Sequence, residues 1–260
     1  MPILGDLVFV TAVLTLAIAA RYVLIAWLVH ALVWGRKDGR VRGRRLNRDR
    51  PKPAAMRHEL KLSLLSSWIY ALPAALVIEA WKQGGTLVYL DVNRYGVAWL
   101  FVSGAIYLLV QDAYYYWLHR LMHAKRLFRY MHAGHHRSRQ PTAYASFAFD
   151  WPEAALSAWV LPALTFLVPI HPVVIVVLLS VMTIAAVLNH SGAELLPDWL
   201  VRSPLGDQLI SASRHSLHHS HFDANFGLYL TYWDRLLGTD MPPKPLAERA
   251  ERASAISPGG

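Results

Sequence analysis

Residues 97–123 read VAWLFVSGAIYLLVQDAYYYWLHRLMH. The first 21 of them are mainly apolar, which is the length that an α-helix needs to cross a hydrocarbon core of ~30 Å. Gln111 and Asp112 interrupt this block near its end, and the following residues include His119 and His123. Side chains four positions apart on a helix share a face. The stretch therefore predicts a membrane helix that carries two imidazoles to one membrane surface.

Three further apolar blocks lie outward from this helix, at Leu7–Trp34, Leu62–Trp81 and Ala154–Leu188. The last block is broken at residues 169–172, which read Pro-Ile-His-Pro, and this predicts a hairpin of two short arms. Apolar residues make up 55% of the chain, charged residues only 17%, and no strand pattern is present. We expect an all-α integral membrane bundle of four to five membrane segments under a helical cap that carries the histidines.

The basic residues between the first two apolar blocks predict the orientation of the chain. Nine of the 26 basic residues form one run, and such a run between two apolar blocks is typical of a cytoplasmic loop and not of a nucleic-acid-binding face. The run consists of Arg36, Lys37, Arg40, Arg42, Arg44, Arg45, Arg48, Arg50 and Lys52. Following the spans from this loop places the link 82–95 outside and all the clustered histidines on the cytoplasmic side.

The composition also limits the chemistry. The chain has no cysteine, which excludes disulfides, iron–sulfur clusters and thiol nucleophiles. Histidine is enriched instead, because eleven of the 13 copies lie between His119 and His221. Eight of them form three boxes: His119 and His123; His132, His135 and His136; and His215, His218 and His219.

The spacing of the boxes predicts metal binding. On a helix, positions i, i+3 and i+4 point the same way, so each box would direct its imidazoles at one small region. Neutral imidazole suits iron, zinc, copper or nickel, and four ligands satisfy one tetrahedral zinc ion. Eight converging histidines therefore indicate two ions.

For the remaining histidines the sequence gives weaker evidence of metal ligation. By topology alone, His190 is either a ninth ligand or a polar interfacial residue. His171 lies at the hairpin tip on the opposite side, and His30 and His58 are expected to be interfacial or solvated. His221 follows the third box out of register and is a candidate for a place beside the metal ligands.

Asp112, Tyr116 and His119 are spaced by four and three residues and share one stripe of their helix. A carboxylate in this position is expected to accept a hydrogen bond from a ligand imidazole and thereby fix its tautomer. The alternative is that Asp112 pairs with Arg120 or Arg126.

Several of these segments together resemble the fatty acid hydroxylase and sterol desaturase superfamily. They are DAYYYWLHRLMH from Asp112, HAGHH from His132, NHSGAE from Asn189, HSLHHSHFDANFG from His215 and WDRLLGT from Trp233. The order and spacing of the boxes match over residues 97–240. One departure concerns the segment after the second box, where many relatives have His-Pro before a glutamate and this chain has Trp151-Pro152-Glu153. This departure leaves the substrate subclass open.

The resemblance implies a centre of two iron ions, for which zinc can substitute on purification, with molecular oxygen as co-substrate. It assigns metal ligation to the eight box histidines and to His190, and it places Asn225, Gly227, Trp233, Asp234 and Gly238 beside the site. It also implies an external electron donor, of ferredoxin or cytochrome type with a reductase. The chain offers no nucleotide or haem signature of its own.

These observations predict three regions: N-terminal membrane helices and a basic loop over residues 1–96, a catalytic region over 97–240, and a flexible tail over 241–260. The predicted function is oxygen-dependent hydroxylation or desaturation of a membrane lipid. A membrane zinc hydrolase is one alternative, although no HExxH motif is present, and a metal transporter or metal-binding membrane protein is another. Arginine outnumbers lysine 20 to 6, which favours a bacterial inner membrane as the location.

Overall fold

Four long helices dominate the computed structural model, which describes residues 2–35, 39–46 and 49–243. They are α1 (Pro2–His30), α3 (Pro53–Lys82), α4 (Val97–Met122) and α8 (Pro172–Asn189). Each is long and apolar enough to cross a membrane, and α1 continues into a π-helical turn. Within the described ranges there is no β-strand, only three isolated bridges. The predicted all-α membrane bundle is confirmed.

The outer faces of these helices are apolar. Phe9 on α1 is 70% exposed and Phe101 on α4 is 76% exposed, and many Leu and Val side chains on the same faces are also uncovered. A contiguous apolar surface of this size is unstable in water and stable in hydrocarbon. Lipid is therefore the solvent of the helical surface, as the composition predicts.

Shorter helices complete the chain. They are α2 (Gly39–Arg42), α5 (Phe128–Met131), α6 (Trp151–Ser157), α7 (Val160–Leu164), α9 (Asp198–Val201), α10 (Pro204–Asp207), α11 (Ala212–His221) and α12 (Tyr232–Leu236). Most of them follow α4 or α8 and form the cap. Residues 244–260 of the predicted tail lie outside the described residues.

The hairpin differs from its prediction in one arm. The second arm is the continuous helix α8, which begins at Pro172 after the predicted break. The first arm is interrupted, because α6 ends at Ser157 and α7 spans only five residues. Pro162 supplies no N–H for a helical bond to the carbonyl four residues earlier, which accounts for an interruption at this point.

The two ends of the bundle are distinct. At one end the hairpin tip joins the link between α3 and α4, since the N–H of Tyr89 donates to the carbonyl of Ile170 at 3.1 Å. At the other end the basic loop contacts the chain that follows α8, where the N–H of Leu46 donates to Gly192 O at 2.9 Å. The basic loop and the C-terminal end of α8 thus lie at the same end, as the predicted topology requires.

Helix α3 carries a buried polar stripe that the sequence analysis did not identify. Glu59, Ser63, Ser66 and Ser67 are all fully buried. Ser63 Oγ donates to the carbonyl of Tyr144 at 3.0 Å, and Glu59 accepts a 2.5 Å hydrogen bond from the hydroxyl of Thr142. Irregular backbone near hydrocarbon needs internal hydrogen-bond partners. The stripe provides them for the segment that follows the second histidine box.

Candidate metal centre

Nine buried or half-buried histidines converge at the end of the bundle that holds the basic loop. They form two groups, and within each group the ring nitrogens that could bind a metal lie within 4.8 Å of one another. The first group contains His119, His123, His132, His136 and His218. The second group contains His135, His190, His215 and His219.

The first box lies at the C-terminal end of α4, as its spacing predicts. His119 occupies the last turn, and His123 is the residue that caps the helix, with its N–H donating to the carbonyl of His119 at 3.1 Å. Both side chains enter the first group. The rings of His119 and His123 are 5.1 Å apart between centroids.

The second box does not lie on an α-helix, so that part of the prediction is wrong. His132 follows α5 in a turn, and His135 begins a 3-10 helix. The N–H of His136 still reaches the carbonyl of His132 at 3.2 Å, which keeps these two rings on one side of the turn. His135 points to the other side and joins the second group.

The third box lies on α11, and its ligands also divide between the groups. His218 joins the first group, whereas His215 and His219, one turn apart, join the second. The expectation that each box addresses one region therefore needs correction. The second and third boxes each span both groups, and the two groups adjoin, with the His136 and His219 ring centroids 4.6 Å apart.

His190 joins the second group from the end of α8. It caps that helix, and its Nδ1 lies 2.8 Å from the carbonyl oxygen of Ala186. Its Nε2 is 2.8 Å from that of His215 and 3.4 Å from that of His135. Of the two interpretations that the topology left open, this position favours a ligand.

Backbone carbonyls orient several of the rings. Nδ1 of His119 lies 2.8 Å from Phe226 O, and Nδ1 of His218 lies 2.7 Å from Ala224 O. A carbonyl oxygen only accepts, so each Nδ1 carries the proton and each Nε2 is left with a free lone pair toward the group. Such contacts are the usual means of fixing the orientation of a metal-bound imidazole.

The segment that supplies these carbonyls is held by Asp234. Its carboxylate accepts the backbone N–H groups of Phe226 and Gly227, both at 2.8 Å, and the hydroxyl of Thr239 at 2.8 Å. A Cβ on Gly227 would lie 2.8 Å from that carboxylate, so only glycine fits. Asn225 adopts a left-handed backbone conformation and donates from its side chain to Arg214 O at 3.1 Å. Asp234 and Gly227, two of the positions that the resemblance placed beside the site, thus support the segment whose carbonyl orients His119.

Glu153 is a site residue that the sequence analysis missed. Its carboxylate is fully buried, lies 2.6 Å from Nδ1 of His132 and also accepts from the hydroxyl of Tyr115 at 3.4 Å. A carboxylate behind a ligand imidazole was expected, but on α4. The sequence feature that could have identified it is its position, 17 residues after the second box, where the chain departs from the family pattern.

Asp112 does not make the predicted hydrogen bond to an imidazole. Its carboxylate accepts the backbone N–H groups of Tyr229 at 2.8 Å and Leu230 at 3.1 Å. It therefore anchors the cap to α4, and neither Arg120 nor Arg126 pairs with it. Tyr116 also joins α4 to the cap, since its hydroxyl lies 3.0 Å from that of Thr239.

His221 lies outside both groups. It is on the exposed side of α11, where its Nδ1 is 3.1 Å from Leu217 O. His171 lies at the hairpin tip, with Nε2 3.0 Å from Leu90 O, as the topology predicts.

The protonation of the second group points to a cation. Burial lowers the pKa of His190 to about 4, and burial together with His190 holds the pKa of His135 well below its ordinary value. Both rings are therefore neutral near pH 7. The Nδ1 of each faces a carbonyl oxygen, at 2.8 Å for His190 and 3.2 Å for His135. Both Nε2 atoms consequently lack protons, yet they face each other at 3.4 Å.

Two unprotonated nitrogens at this separation repel each other unless a positive ion lies between them. Metal–nitrogen bonds of about 2.0–2.1 Å place neighbouring ligand nitrogens roughly 3–3.4 Å apart, depending on the geometry. The observed Nε2 separations of 2.8–3.4 Å fall close to that range. Among the described residues, buried His123 Nε2, His136 Nδ1 and His219 Nδ1 also have no hydrogen-bond partner. The donor set fits two transition-metal ions.

Comparison with known proteins agrees with this arrangement. The family model described as fatty acid hydroxylase matches residues 104–239, which is more than half of the chain and contains all nine histidines. The chain belongs to the fatty acid hydroxylase family, and the resemblance inferred from the boxes is confirmed.

Individual relatives of this fatty acid hydroxylase family member are sterol enzymes by name. A Delta(7)-sterol 5(6)-desaturase of Gibberella zeae is 28% identical over 74% of this chain and 59% of its own length. One from Aspergillus fumigatus is 29% identical over 74% of this chain and 65% of its own length. Human lathosterol oxidase is 30% identical over 72% of this chain and 62% of its own length. The chain thus spans about three fifths of the length of these relatives.

No solved structure matches the chain. The relatives named above come from fungi and a mammal. They support an integral membrane protein but give no support to a bacterial inner membrane, which stays an expectation from the arginine content alone.

Proposed function

We propose that this protein is a di-iron oxidoreductase that uses molecular oxygen to hydroxylate or desaturate a membrane lipid. The observation that carries the proposal is the convergence of nine histidines into two adjoining groups, within each of which the ring nitrogens lie within 4.8 Å of one another. Family membership supports the same conclusion. Sterol-like lipids are the first substrates to test, because the relatives are named for sterol desaturation and lathosterol oxidation.

The ligand set supports two ions of a redox metal. The first group offers five imidazoles and the second offers four, whereas one structural zinc ion is satisfied by four ligands in all. Bound iron supplies the redox chemistry that activates oxygen toward an unactivated C–H bond. Five of the nine rings are held in fixed orientations, His119, His135, His190 and His218 by backbone carbonyls and His132 by Glu153.

Aromatic side chains surround the ligands and exclude water. The Phe149 ring centroid lies 5.7 Å from that of His135, and the Phe226 centroid lies 5.3 Å from that of His123. Exclusion of water protects reactive species from side reactions. A lipid substrate shares the hydrocarbon that surrounds the four spans, so lateral entry from the bilayer is the route that we propose.

The stoichiometry requires an external source of electrons. Hydroxylation consumes one oxygen molecule, two electrons and two protons to give R–OH and one water. Desaturation consumes the same reagents to give a double bond and two waters. The chain has no cysteine for an iron–sulfur cluster and no nucleotide-binding fingerprint. We therefore propose a separate ferredoxin or cytochrome as donor, on the cytoplasmic side that the basic loop indicates.

Metal analysis and lipid analysis together test this function. The purified protein in lipid nanodiscs is expected to bind about two metal ions per chain and, loaded with Fe(II), to oxidise a sterol-like lipid under oxygen with a chemical reductant. Mass spectrometry should detect a gain of one oxygen or a loss of two hydrogens. Zinc alone with hydrolysis products would identify a hydrolase, and bound metal without any lipid product would identify a transport or storage protein. Either result contradicts the proposal.

A further inference from the structure

The segment that contains the first two histidine boxes is strongly basic. Residues 120–139 contain six basic and no acidic side chains, and all six are exposed. We call this set the basic edge: Arg120, Lys125, Arg126, Arg129, Arg137 and Arg139. Arg137 directly follows His136, and Lys125 follows His123 by two residues. The positive charge is therefore concentrated beside ligands of the first group.

The charges of the basic edge are not neutralised by acids within the fold, although Arg120 donates to the Tyr116 hydroxyl and Arg129 lies over the Tyr130 ring. Elsewhere, Arg214 and Arg235 of the cap both pair with Asp207, and Arg44 of the basic loop pairs with Asp198. No member of the basic edge pairs with a carboxylate anywhere in the part of the chain that the structure describes. Unpaired charge of one sign on a protein surface raises the association rate of an oppositely charged partner.

Aromatic side chains connect this surface to the histidines. Phe222 is 39% exposed, yet its ring centroid lies 4.7 Å from that of His136 and 6.3 Å from that of His123. It also contacts Phe128, at 5.7 Å, in the helix that carries Arg129. Phe222 ends α11 in a left-handed backbone conformation with φ of 54°, which is strained for a bulky residue. Strained residues of this kind cluster at functional sites.

We propose that the basic edge is the docking surface for a small acidic electron-transfer protein, which passes electrons to the first group beside Phe222. The proposal rests on the proposed function, which requires two electrons per lipid oxidised. Each docked carrier gives up one electron and is oxidised by one electron, so two carriers are consumed in each turnover. Electron transfer weakens steeply with distance, and Phe222 marks a place where the surface is one side chain away from a ligand ring.

Anionic lipid headgroups are the competing occupant of a basic surface near a membrane. The placement favours a protein. Lys125, Arg126 and Arg129 are exposed, follow the end of α4 at Met122 and flank Phe128 in the sequence. Headgroup attraction gives no reason for an exposed aromatic ring in contact with a ligand. Asp223 is an exposed acid next to Phe222, and it reduces the local charge by only one.

Binding to a defined acidic carrier tests the docking surface without turnover. The full-length protein in phosphatidylcholine nanodiscs would be titrated with oxidised plant-type [2Fe–2S] ferredoxin. We expect roughly tenfold weaker binding for the double variant Arg126→Glu/Arg129→Glu. The control Lys52→Glu/Arg202→Glu changes the net charge equally at exposed positions outside the basic edge and should bind like the unmodified protein. Binding should weaken with added salt, and Arg126→Gln/Arg129→Gln should have an intermediate effect.

Electron delivery provides the second readout. Lipid oxidation driven by reduced ferredoxin should fall in the charge-reversed variant, while oxidation driven by dithionite and a viologen should not change. If the unmodified protein gave no lipid oxidation with dithionite, the proposed function would be contradicted. The docking proposal would then be tested by the ferredoxin-binding measurements alone. Equal ferredoxin binding by all variants, or no binding by the unmodified protein, would overturn the docking proposal. If the charge-reversed variant bound ferredoxin normally but no longer enriched phosphatidylglycerol over phosphatidylcholine around itself in mixed-lipid nanodiscs, the surface would belong to lipid headgroups and the docking proposal would be overturned.

Discussion

The two histidine groups differ in how they are enclosed. The four histidines of the second group are all buried, and they come from the second box, the end of α8 and the third box. The first group has five members, of which His123 is only half-buried. It also includes His132, whose Nδ1 faces the Glu153 carboxyl group, and His136, whose ring contacts exposed Phe222. The second group therefore joins distant segments in the protein interior, whereas the first group lies closer to the protein surface.

The largest effect is expected for His135→Ala. It leaves three imidazoles in the second group, fewer than a closed tetrahedral site needs, and it removes one of the two facing Nε2 atoms. Lipid oxidation should be abolished, and bound metal should fall from about two ions per chain toward one. Metal content by mass spectrometry and product formation are the measurements.

His218→Ala is the matched variant in the first group and leaves four imidazoles there. We expect it to abolish oxidation as well, while it loses less metal than His135→Ala. Both variants should still insert into the membrane, because neither residue lies in the four apolar spans. Full oxidation in either variant would remove that histidine from the ligand set, and equal metal loss would remove the difference between the groups.

A smaller effect is expected for Glu153→Gln. The amide keeps the volume of the side chain but replaces a carboxyl group that lies 2.6 Å from Nδ1 of His132 with a weaker hydrogen-bond partner. Loss of a residue that orients a metal ligand usually lowers metal affinity or activity about 10–100-fold. Iron titration of the metal-free protein should show weaker binding at one of two sites. Tyr115→Phe, which removes only the longer 3.4 Å hydrogen bond, is the control. Identical titrations of Glu153→Gln and the unmodified protein would show that the carboxylate has no such role.

Glu153 also illustrates what the sequence could not reveal. Box spacing identified eight of the nine histidines, because side chains at i, i+3 and i+4 of a helix share a face, and this is realised in the first and third boxes. The ninth, His190, was assigned only by the family resemblance. The carboxylate behind His132 comes from α6, 21 residues further along the chain, and no periodicity links the two. Asp112 had the right spacing for that role but is satisfied by backbone N–H groups of the cap. Contacts between segments depend on loop paths that single-sequence periodicity does not encode.

Asp234→Asn is expected to have a smaller effect than Glu153→Gln, because Asp234 acts on the first group only through the backbone. The carboxylate accepts two backbone N–H groups, and one of these belongs to Phe226, whose carbonyl orients His119. An amide presents one acceptor oxygen in place of two, so one buried N–H loses its partner, at a cost of about 1–3 kcal/mol. We expect a lower thermal midpoint with two metal ions still bound. An unchanged midpoint would show that the segment is held by other contacts.

The smallest effect is expected for His171→Ala, which tests whether the two groups are confined to one end of the bundle. His171 caps α8 by accepting the N–H of Val173 at Nδ1, so its loss should cost about 0.5–2 kcal/mol of stability. The 18 residues of α8 separate it from His190 by roughly 27 Å along the helix. Metal content, iron affinity and lipid oxidation should therefore match those of the unmodified protein. A complete loss of oxidation in this variant would mean that the hairpin tip approaches the histidines, and the separation of the two ends of the bundle would then be wrong.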